Sequence, residues 1–318
     1  GTSQSLGRNA DAAPVVQADG SAPNWTATAS AVSPSVVAIT ATSAQGGGQG
    51  SGVIIDSSGY VLTNNHVVAG AQELTVTTSD GRTFAAEIRG TDPSTDLAVI
   101  TITGNPSNLT PIAVGDSDAL AVGDPVMAVG NPLGLAGTVT TGIVSALNRP
   151  VTTQGESSGQ DQFGQGQSQA EPVVTNAIQT SAAINPGNSG GALVNAGGQL
   201  IGINSSIASL GSSSGQSGNI GIGFAIPVNE ASSIAEQLIA KGTAVHAYLG
   251  VTPQDGSASD GSATRTGAEI TSVGADTPAS KAGLQVGDVV TAVGGERVES
   301  ALSLVGHIRA RSAGDEGP

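Results

Sequence analysis

Cysteine is absent from the 318 residues, which removes disulfides, thiolate zinc sites and a cysteine nucleophile together. Basic side chains are scarce: 10 Lys and Arg stand against 25 Asp and Glu, and the formal charge of −15 repels phosphate backbones and anionic surfaces. Nucleic acid is therefore not an expected partner. The three histidines, His66, His246 and His307, fit no close-spaced metal signature, and the carboxylates are scattered. Neither a metal nor another cofactor is expected. No apolar run approaches the ~18 residues of a membrane-spanning helix. The chain starts at Gly1 and stops at Pro318 inside a patterned region, so native ends are expected beyond it, and an upstream signal or membrane anchor stays open.

Glycine is what abounds. With 47 Gly and 15 Pro, 62 of 318 residues, the chain stays under the ~25% that marks low-complexity disorder and reads as turn-rich and globular. Residues 1–24 lack any apolar period and read as a disordered linker. From Ala31 onward, thirteen short β-branched runs follow, among them SVVAIT, YVLTNN, LAVITI, PIAVG, GALVN and QLIGINS. That density predicts an all-β barrel or sandwich. The turns DSSG (56–59), SDGR (79–82) and NAGG (195–198) predict hairpins. Two Gly/Ser/Gln-rich segments, 151–170 and 209–219, read as long loops. PVNEASSIAEQLIAKG (227–242) is the one amphipathic helix expected in this first part. Beyond it, HAYLGV, a polar loop, GAEITSV, TPASKAGL, GDVVTAVGGERV and SALSLVGHIRARS predict a small α+β module of alternating strands and helices.

The segment INPGNSGGAL (184–193) concentrates the chemistry. GNSGG satisfies the G-x-S-x-G pattern of a nucleophile elbow, but that pattern needs a helix after the serine and a later histidine in the same fold. Here a hairpin follows, and the later histidines lie in the second module. Consecutive glycines around Ser189 instead suit a backbone that aims neighbouring N–H groups at one point, as an oxyanion hole requires. His66, in TNNHVV, is the only histidine of the β-region and a candidate general base. Asp96, in STDLAVI, is a lone acid opening an apolar run and a candidate to orient the imidazole. Asn64 and Asn65 read as turn or packing residues.

TNNHVV, STDLAVI and NPGNSGG, in this order and on this strand pattern, resemble the HtrA (DegP-like) family of bacterial chymotrypsin-fold serine proteases. The resemblance implies two six-stranded β-barrels over residues 25–243, a trypsin-like serine protease domain, followed by a PDZ domain over 246–318. That PDZ domain is expected to be incomplete, because the chain ends before the family's final strand. The resemblance further implies His66, Asp96 and Ser189 as the catalytic triad, with the oxyanion hole at the backbone of Gly187, Asn188 and Ser189. It puts Ile184, Asn185, Ser205 and Ile207 at the specificity pocket, with no acidic residue at its base, so small aliphatic side chains are the expected fit. In the second module it implies Tyr248, Leu249, Gly250 and Val251 as the loop that receives a peptide C-terminus. An ATP-independent endopeptidase acting on misfolded extracytoplasmic proteins, assembled as a homotrimer, is the implied function. Ser181 and Ala192 depart from the family pattern, which usually has Asp and Pro there. Two other readings stay open: a chaperone-like peptide-binding module with an idle protease site, and an esterase of elbow type.

Overall fold

The structure is a computed structural model that describes residues 22–44, 46–104, 106–131, 137–153, 173–209, 221–259 and 261–311. Most of the expected linker 1–24 and of the segments 151–170 and 209–219 lies outside the described residues. The chain divides into two compact units: Gly1–Leu147, Thr152–Val173 and Ile178–Ala244 form the first, and Asn148–Val151, Val174–Ala177 and Val245–Pro318 the second.

The first unit opens with helix α1 (Trp25–Val32), which the strand-dominated sequence pattern does not announce. Asn24 caps it, accepting from the Ala27 N–H at 3.1 Å, the side-chain capping that favours Asn ahead of a first turn. Strands β1 (Val36–Ser43), β2 (Gly46–Ile54), β3 (Tyr60–Asn64), β4 (Glu73–Thr77), β5 (Thr83–Asp92) and β6 (Leu97–Ile102) close an antiparallel barrel in the order β1-β2-β3-β6-β5-β4. A short helix, α2 (Asn65–Val68), follows β3 directly. The DSSG hairpin forms because Asp56 Oδ1 accepts from the N–H groups of Ser58, Gly59 and Tyr60 at 3.1, 3.1 and 3.0 Å.

Strands β7 (Pro125–Gly130), β8 (Thr138–Thr153), β9 (Val173–Thr180), β10 (Ala192–Asn195), β11 (Leu200–Ser205), β12 (Ala208–Ser209) and β13 (Gly223–Pro227) make the second barrel. Its ring runs β8-β7-β10-β11-β13-β9 and closes by β9 pairing back to β8, with β12 added at the far end of β8. PIAVG (111–115) is not a strand, contrary to expectation. It makes one bridge, Val114 to Leu200, before β13 takes over that edge of β11 from Gly202 onward. Helix α3 (Val228–Lys241) ends the unit, capped by Gly242 at φ 77°, where only glycine is unstrained.

Period-two alternation explains why the strands between the barrels are apolar on both faces. In β6, Ala98, Ile100 and Ile102 fill the first barrel, while Leu97 and Val99 turn outward to the seam. In the second barrel, Val126, Ala128 and Leu193 point inward, while Met127, Val129, Ala192 and Val194 meet the same seam. Val228, Ala231, Ile234, Ala235 and Leu238 of α3 close it, and Trp25 of α1 packs at its margin.

In the second unit, β14 (Val251–Ser259), β15 (Thr264–Val273) and β16 (Val289–Val290) form a three-stranded sheet in that order. The polar loop expected after HAYLGV is in fact β14. Its ladder with β15 runs from Val251–Val273 to Ser259–Thr264, so pairing rather than burial holds this polar stretch extended. Helix α4 (Pro278–Ala282) is capped by Thr277, β17 (Ala292–Val293) and β18 (Glu296–Arg297) form a small hairpin, and α5 (Ala301–Arg309) follows. Ala268, Ile270, Val298 and Leu304 form the core of this unit. Among the described residues no helix is long and apolar enough to cross a membrane.

Candidate active site

The barrels contribute different parts of one constellation. The turn between β5 and β6 holds Asp96 at φ 57°, a left-handed conformation that costs about 1–3 kcal/mol outside glycine and gathers at functional sites. The turn is built by Asp92, which accepts from Ser94 Oγ at 2.7 Å and from Thr95 Oγ1. Asp96 itself is buried. Its carbonyl accepts from Asn65 N–H at 3.0 Å and from Asn64 Nδ2 at 3.1 Å, and its Oδ1 accepts from the His66 N–H at 3.0 Å. The start of α2 is thereby locked to the turn.

This brings His66 Nδ1 to 2.8 Å from Asp96 Oδ2. The imidazole side chain keeps 28% of its surface open, enough to meet a substrate. Its Nε2 lies 3.0 Å from Ser189 Oγ. Chain order, spacing and geometry therefore assemble His66, Asp96 and Ser189 into one hydrogen-bonded line, with acid and imidazole from the first barrel and the hydroxyl from the second.

Ser189 follows a tight turn, Pro186–Asn188. Asn188 holds that turn with its side chain, accepting from Asn185 N–H at 2.9 Å and donating to the Ala183 carbonyl at 3.0 Å. Its amide is thus spent on the turn rather than free for a ligand. In the other two such turns of the described chain, at Ser33–Ser35 and Ser117–Ala119, the capping N–H closes back on the first residue. Ser189 makes no such closure. The carbonyls point away: that of Gly187 accepts from Ser51 Oγ at 2.9 Å, and that of Ser189 from Ser51 N–H at 2.8 Å. Gly190 adopts φ 80°, and a Cβ there would collide with the Ser51 carbonyl and with Thr63. A Cβ on Gly191 would likewise collide with the Val129 carbonyl, so the two glycines after Ser189 are there by geometric need.

Two residues at this centre carry no recognisable sequence signal. Ser51, fully buried on β2, also accepts from Asn131 N–H at 2.8 Å. Asn64, read from the sequence as a turn or packing residue, directs its Oδ1 to 3.0 Å from Ser189 Oγ. The residues implied for the specificity pocket are less uniformly placed. Ile184 is buried in the second-barrel core, and a Cβ on Gly223 would meet its Cγ1 at 2.5 Å. Ser205 turns its hydroxyl to 3.5 Å from Asp96 Oδ2, so its side chain attends the triad. Asn185 is exposed and Ile207 half-buried. The adjacent Ser206 N–H donates to Ser189 Oγ at 3.2 Å.

In the second unit, Tyr248 is exposed, Leu249 gives its carbonyl to Ala279 N–H at 3.0 Å, and Gly250 gives its own to Gly274 N–H at 2.9 Å. Val251 begins β14. Among the described residues no cluster of His, Asp and Glu could hold a metal ion.

A pair of closed β-barrels sharing a Ser–His–Asp line across their seam defines the trypsin-like class of serine peptidases. Comparison with known proteins agrees: the descriptor "Trypsin-like peptidase domain" matches residues 50–203, a span that contains all three residues, and "PDZ domain" matches 269–314. The chain is 47% identical over 297 residues to serine protease PepD of Mycobacterium tuberculosis, covering 90% of this chain and 60% of PepD. It is 45% identical over 271 residues to the periplasmic serine endoprotease DegP of Escherichia coli, covering 81% of this chain and 52% of DegP. It thus spans little more than half the length of these relatives. Among solved structures, the HtrA-type protease AlgW with tripeptide superposes at TM-score 0.67 and 35% identity, covering 90% of this chain and 88% of AlgW. The chain belongs to the HtrA family of serine proteases.

Proposed function

We propose that this chain is a serine endopeptidase that cleaves unfolded or misfolded proteins without ATP, as part of extracytoplasmic protein quality control. The observation that carries the reading is the continuous line from Ser189 Oγ to His66 Nε2 at 3.0 Å and from His66 Nδ1 to Asp96 Oδ2 at 2.8 Å.

In this mechanism Ser189 Oγ attacks the scissile carbonyl carbon as His66 Nε2 takes its proton. Asp96 accepts from Nδ1–H, keeps the lone pair on Nε2 and stabilises the imidazolium that forms. The N–H groups of Gly187 and Ser189 receive the developing oxyanion, with Asn188 fixing the turn between them. His66 then protonates the leaving amine, the peptide C–N bond breaks, and the acyl group remains on Ser189. Water, deprotonated by His66, attacks the ester, and the returning proton restores the Ser189 hydroxyl.

The specificity residues Ile184, Asn185, Ser205 and Ile207 carry no charge, so a cationic substrate side chain would be buried unpaired and small aliphatic ones are favoured. In the second unit, the loop Tyr248-Leu249-Gly250-Val251 receives a peptide carboxylate. Strand β14 pairs with β15 on one side only, which leaves an edge to which a peptide adds as a further strand beside α5. A homotrimer completes the reading, and the periplasmic location of the relative DegP supports the compartment.

Casein digestion and fluorophosphonate labelling, measured on the parent and on Ser189→Ala, test it. The endopeptidase shows both and loses both in the variant. A peptide-binding module with an idle site shows neither, and an esterase hydrolyses simple esters while leaving casein intact.

A further inference from the structure

We infer that Asn64 is a positioning residue of this active site: its side-chain carbonyl is the terminal acceptor of the hydrogen-bond line through Ser189 and His66 and favours the arrangement in which His66 Nε2 carries a proton. The inference rests on the peptidase reading above and extends it to a residue outside the triad.

The geometry leaves little freedom. Asn64 is fully buried at the end of β3. Its Nδ2 donates to the Asp96 carbonyl at 3.1 Å. Reversing the amide would set one carbonyl oxygen against another, so the Oδ1 is committed to Ser189, 3.0 Å from Oγ. Ser189 Oγ also accepts from Ser206 N–H at 3.2 Å and lies 3.0 Å from His66 Nε2. The hydroxyl carries a single proton and has two acceptors at equal distance.

Protonation of His66 decides between them. While the imidazole is neutral, the Ser189 proton goes to Nε2, the productive arrangement, and the buried Asn64 oxygen lacks that donor. When Nε2 is protonated, its N–H donates to Oγ and the Ser189 proton must go elsewhere. Asn64 Oδ1 receives it, so every group from Asp96 to Asn64 is satisfied. Asn64 therefore stabilises the charged, inactive form relative to the neutral one, because a buried acceptor without a donor is costly.

Among the other ionisable groups around His66, Asp96 also favours the charged form, and it does so equally in the parent and in variants of Asn64. Asp96 is the carboxylate in direct contact. Asp92, at the end of β5, accepts from Ser94 and Thr95. Glu87 and Arg89 lie on the exposed face of β5. Tyr60 sits at the opposite end of β3, paired with Thr101. The segments from the second barrel present Ser189, Ser205 and Ser206, none of them charged.

The test is the pH profile of kcat/KM for a chromogenic ester, together with the rate of fluorophosphonate inactivation, in the parent, Asn64→Ala and Asn64→Asp. Removing the acceptor in Asn64→Ala moves the acid limb of both profiles down by about 0.7 pH unit, the equivalent of one net hydrogen bond. Asn64→Asp, which keeps an oxygen and adds negative charge, moves it up. A residue that merely packed would lower the rate at every pH and leave the limb in place. An unmoved limb in an active Asn64→Ala variant, or a shift upward, overturns the inference. Should Asn64→Ala fail to fold, Asn64→Asp decides the matter, and an unmoved or lowered limb there overturns it equally. A parent without hydrolysis or labelling would instead remove the peptidase reading itself.

Discussion

Replacing Ser51 by Ala tests how the first barrel supports the nucleophile turn of the second. The change deletes one oxygen from a fully buried position and keeps the backbone bonds, in which Ser51 N–H donates to Ser189 O at 2.8 Å and Thr63 Oγ1 donates to Ser51 O at 2.7 Å. Two partners are orphaned: the Gly187 carbonyl, which accepted at 2.9 Å, and the Asn131 N–H, which donated at 2.8 Å. Each unsatisfied buried group costs about 1–3 kcal/mol, so the stability loss is about 2–6 kcal/mol. A domain starts with roughly 5–15 kcal/mol and can remain folded after that loss. The kinetic cost is separate. Loss of an oxyanion donor lowers kcat by about 10²–10³. Here the Gly187 peptide is loosened while Asn188 still ties the turn, so about 10–100-fold is expected. Denaturant unfolding gives the first quantity. The second comes from kcat on a chromogenic ester, corrected by fluorophosphonate titration of intact sites. A variant within ~0.5 kcal/mol of the parent would show that these bonds are replaced by water. Lower stability with unchanged kcat would sever Ser51 from the oxyanion turn and refute the reasoning.

Asp96→Asn keeps the shape of the turn but presents the imidazole in the wrong tautomer; kcat should fall by roughly 10⁴ with little change in KM, as steady-state kinetics would report. His307 is 7% exposed and donates from Nε2 to the Arg297 carbonyl at 3.2 Å. Burial is the main cause that holds its pKa below the ordinary imidazole value; Arg311 adds to this, and the Arg297 carbonyl and Glu296 oppose it. The folded second unit thus binds fewer protons than the unfolded one. Its stability is full above about pH 6.5, declines as pH falls through that value and levels off below the folded pKa. Hydrogen exchange of the β14–β15 amides should show this decline and show it flattened in His307→Gln. Gly250, at φ 83°, faces the side chain of Thr277, whose Oγ1 would lie 2.8 Å from an added Cβ. Gly250→Ala should cost the second unit about 2–4 kcal/mol and abolish binding of an apolar C-terminal peptide, while leaving ester hydrolysis intact. Calorimetric titration checks the binding.

The β-architecture was legible because β-branched runs between turn residues report strand pairing locally, and DSSG, SDGR and NAGG each join adjacent antiparallel strands. His66, Asp96 and Ser189 stood out because each sits in a segment whose residue types such chemistry demands, and the structure brings the three into one hydrogen-bonded line. What escaped was structure held by pairing partners rather than by its own composition. Helix α1 is rich in Ala, Ser and Thr and owes its start to the Asn24 cap. Strand β14 is largely polar and exists through its ladder with β15. PIAVG has strand composition but meets β11 only at Leu200, because β13 holds the same edge from Gly202 onward. The supporting contacts of Ser51 and Asn64 escaped for another reason: both depend on a serine more than a hundred residues away, and no local pattern encodes such a meeting.

The seam between the barrels also imposes an order in time. His66 and Asp96 are complete once β6 has been made, yet their partner hydroxyl arrives with the second barrel. The last piece of the seam is α3, whose Ile239 carbonyl accepts from Arg89 of β5 at 2.8 Å and whose apolar face meets residues of both barrels. A chain emerging from the ribosome therefore holds His66 and Asp96 without Ser189 for nearly a hundred residues, and the clasp closes only when Lys241 has appeared. Such long-range closure slows folding. It also means that a half-made copy holds the His66–Asp96 pair without the Ser189 hydroxyl that completes the hydrogen-bonded line.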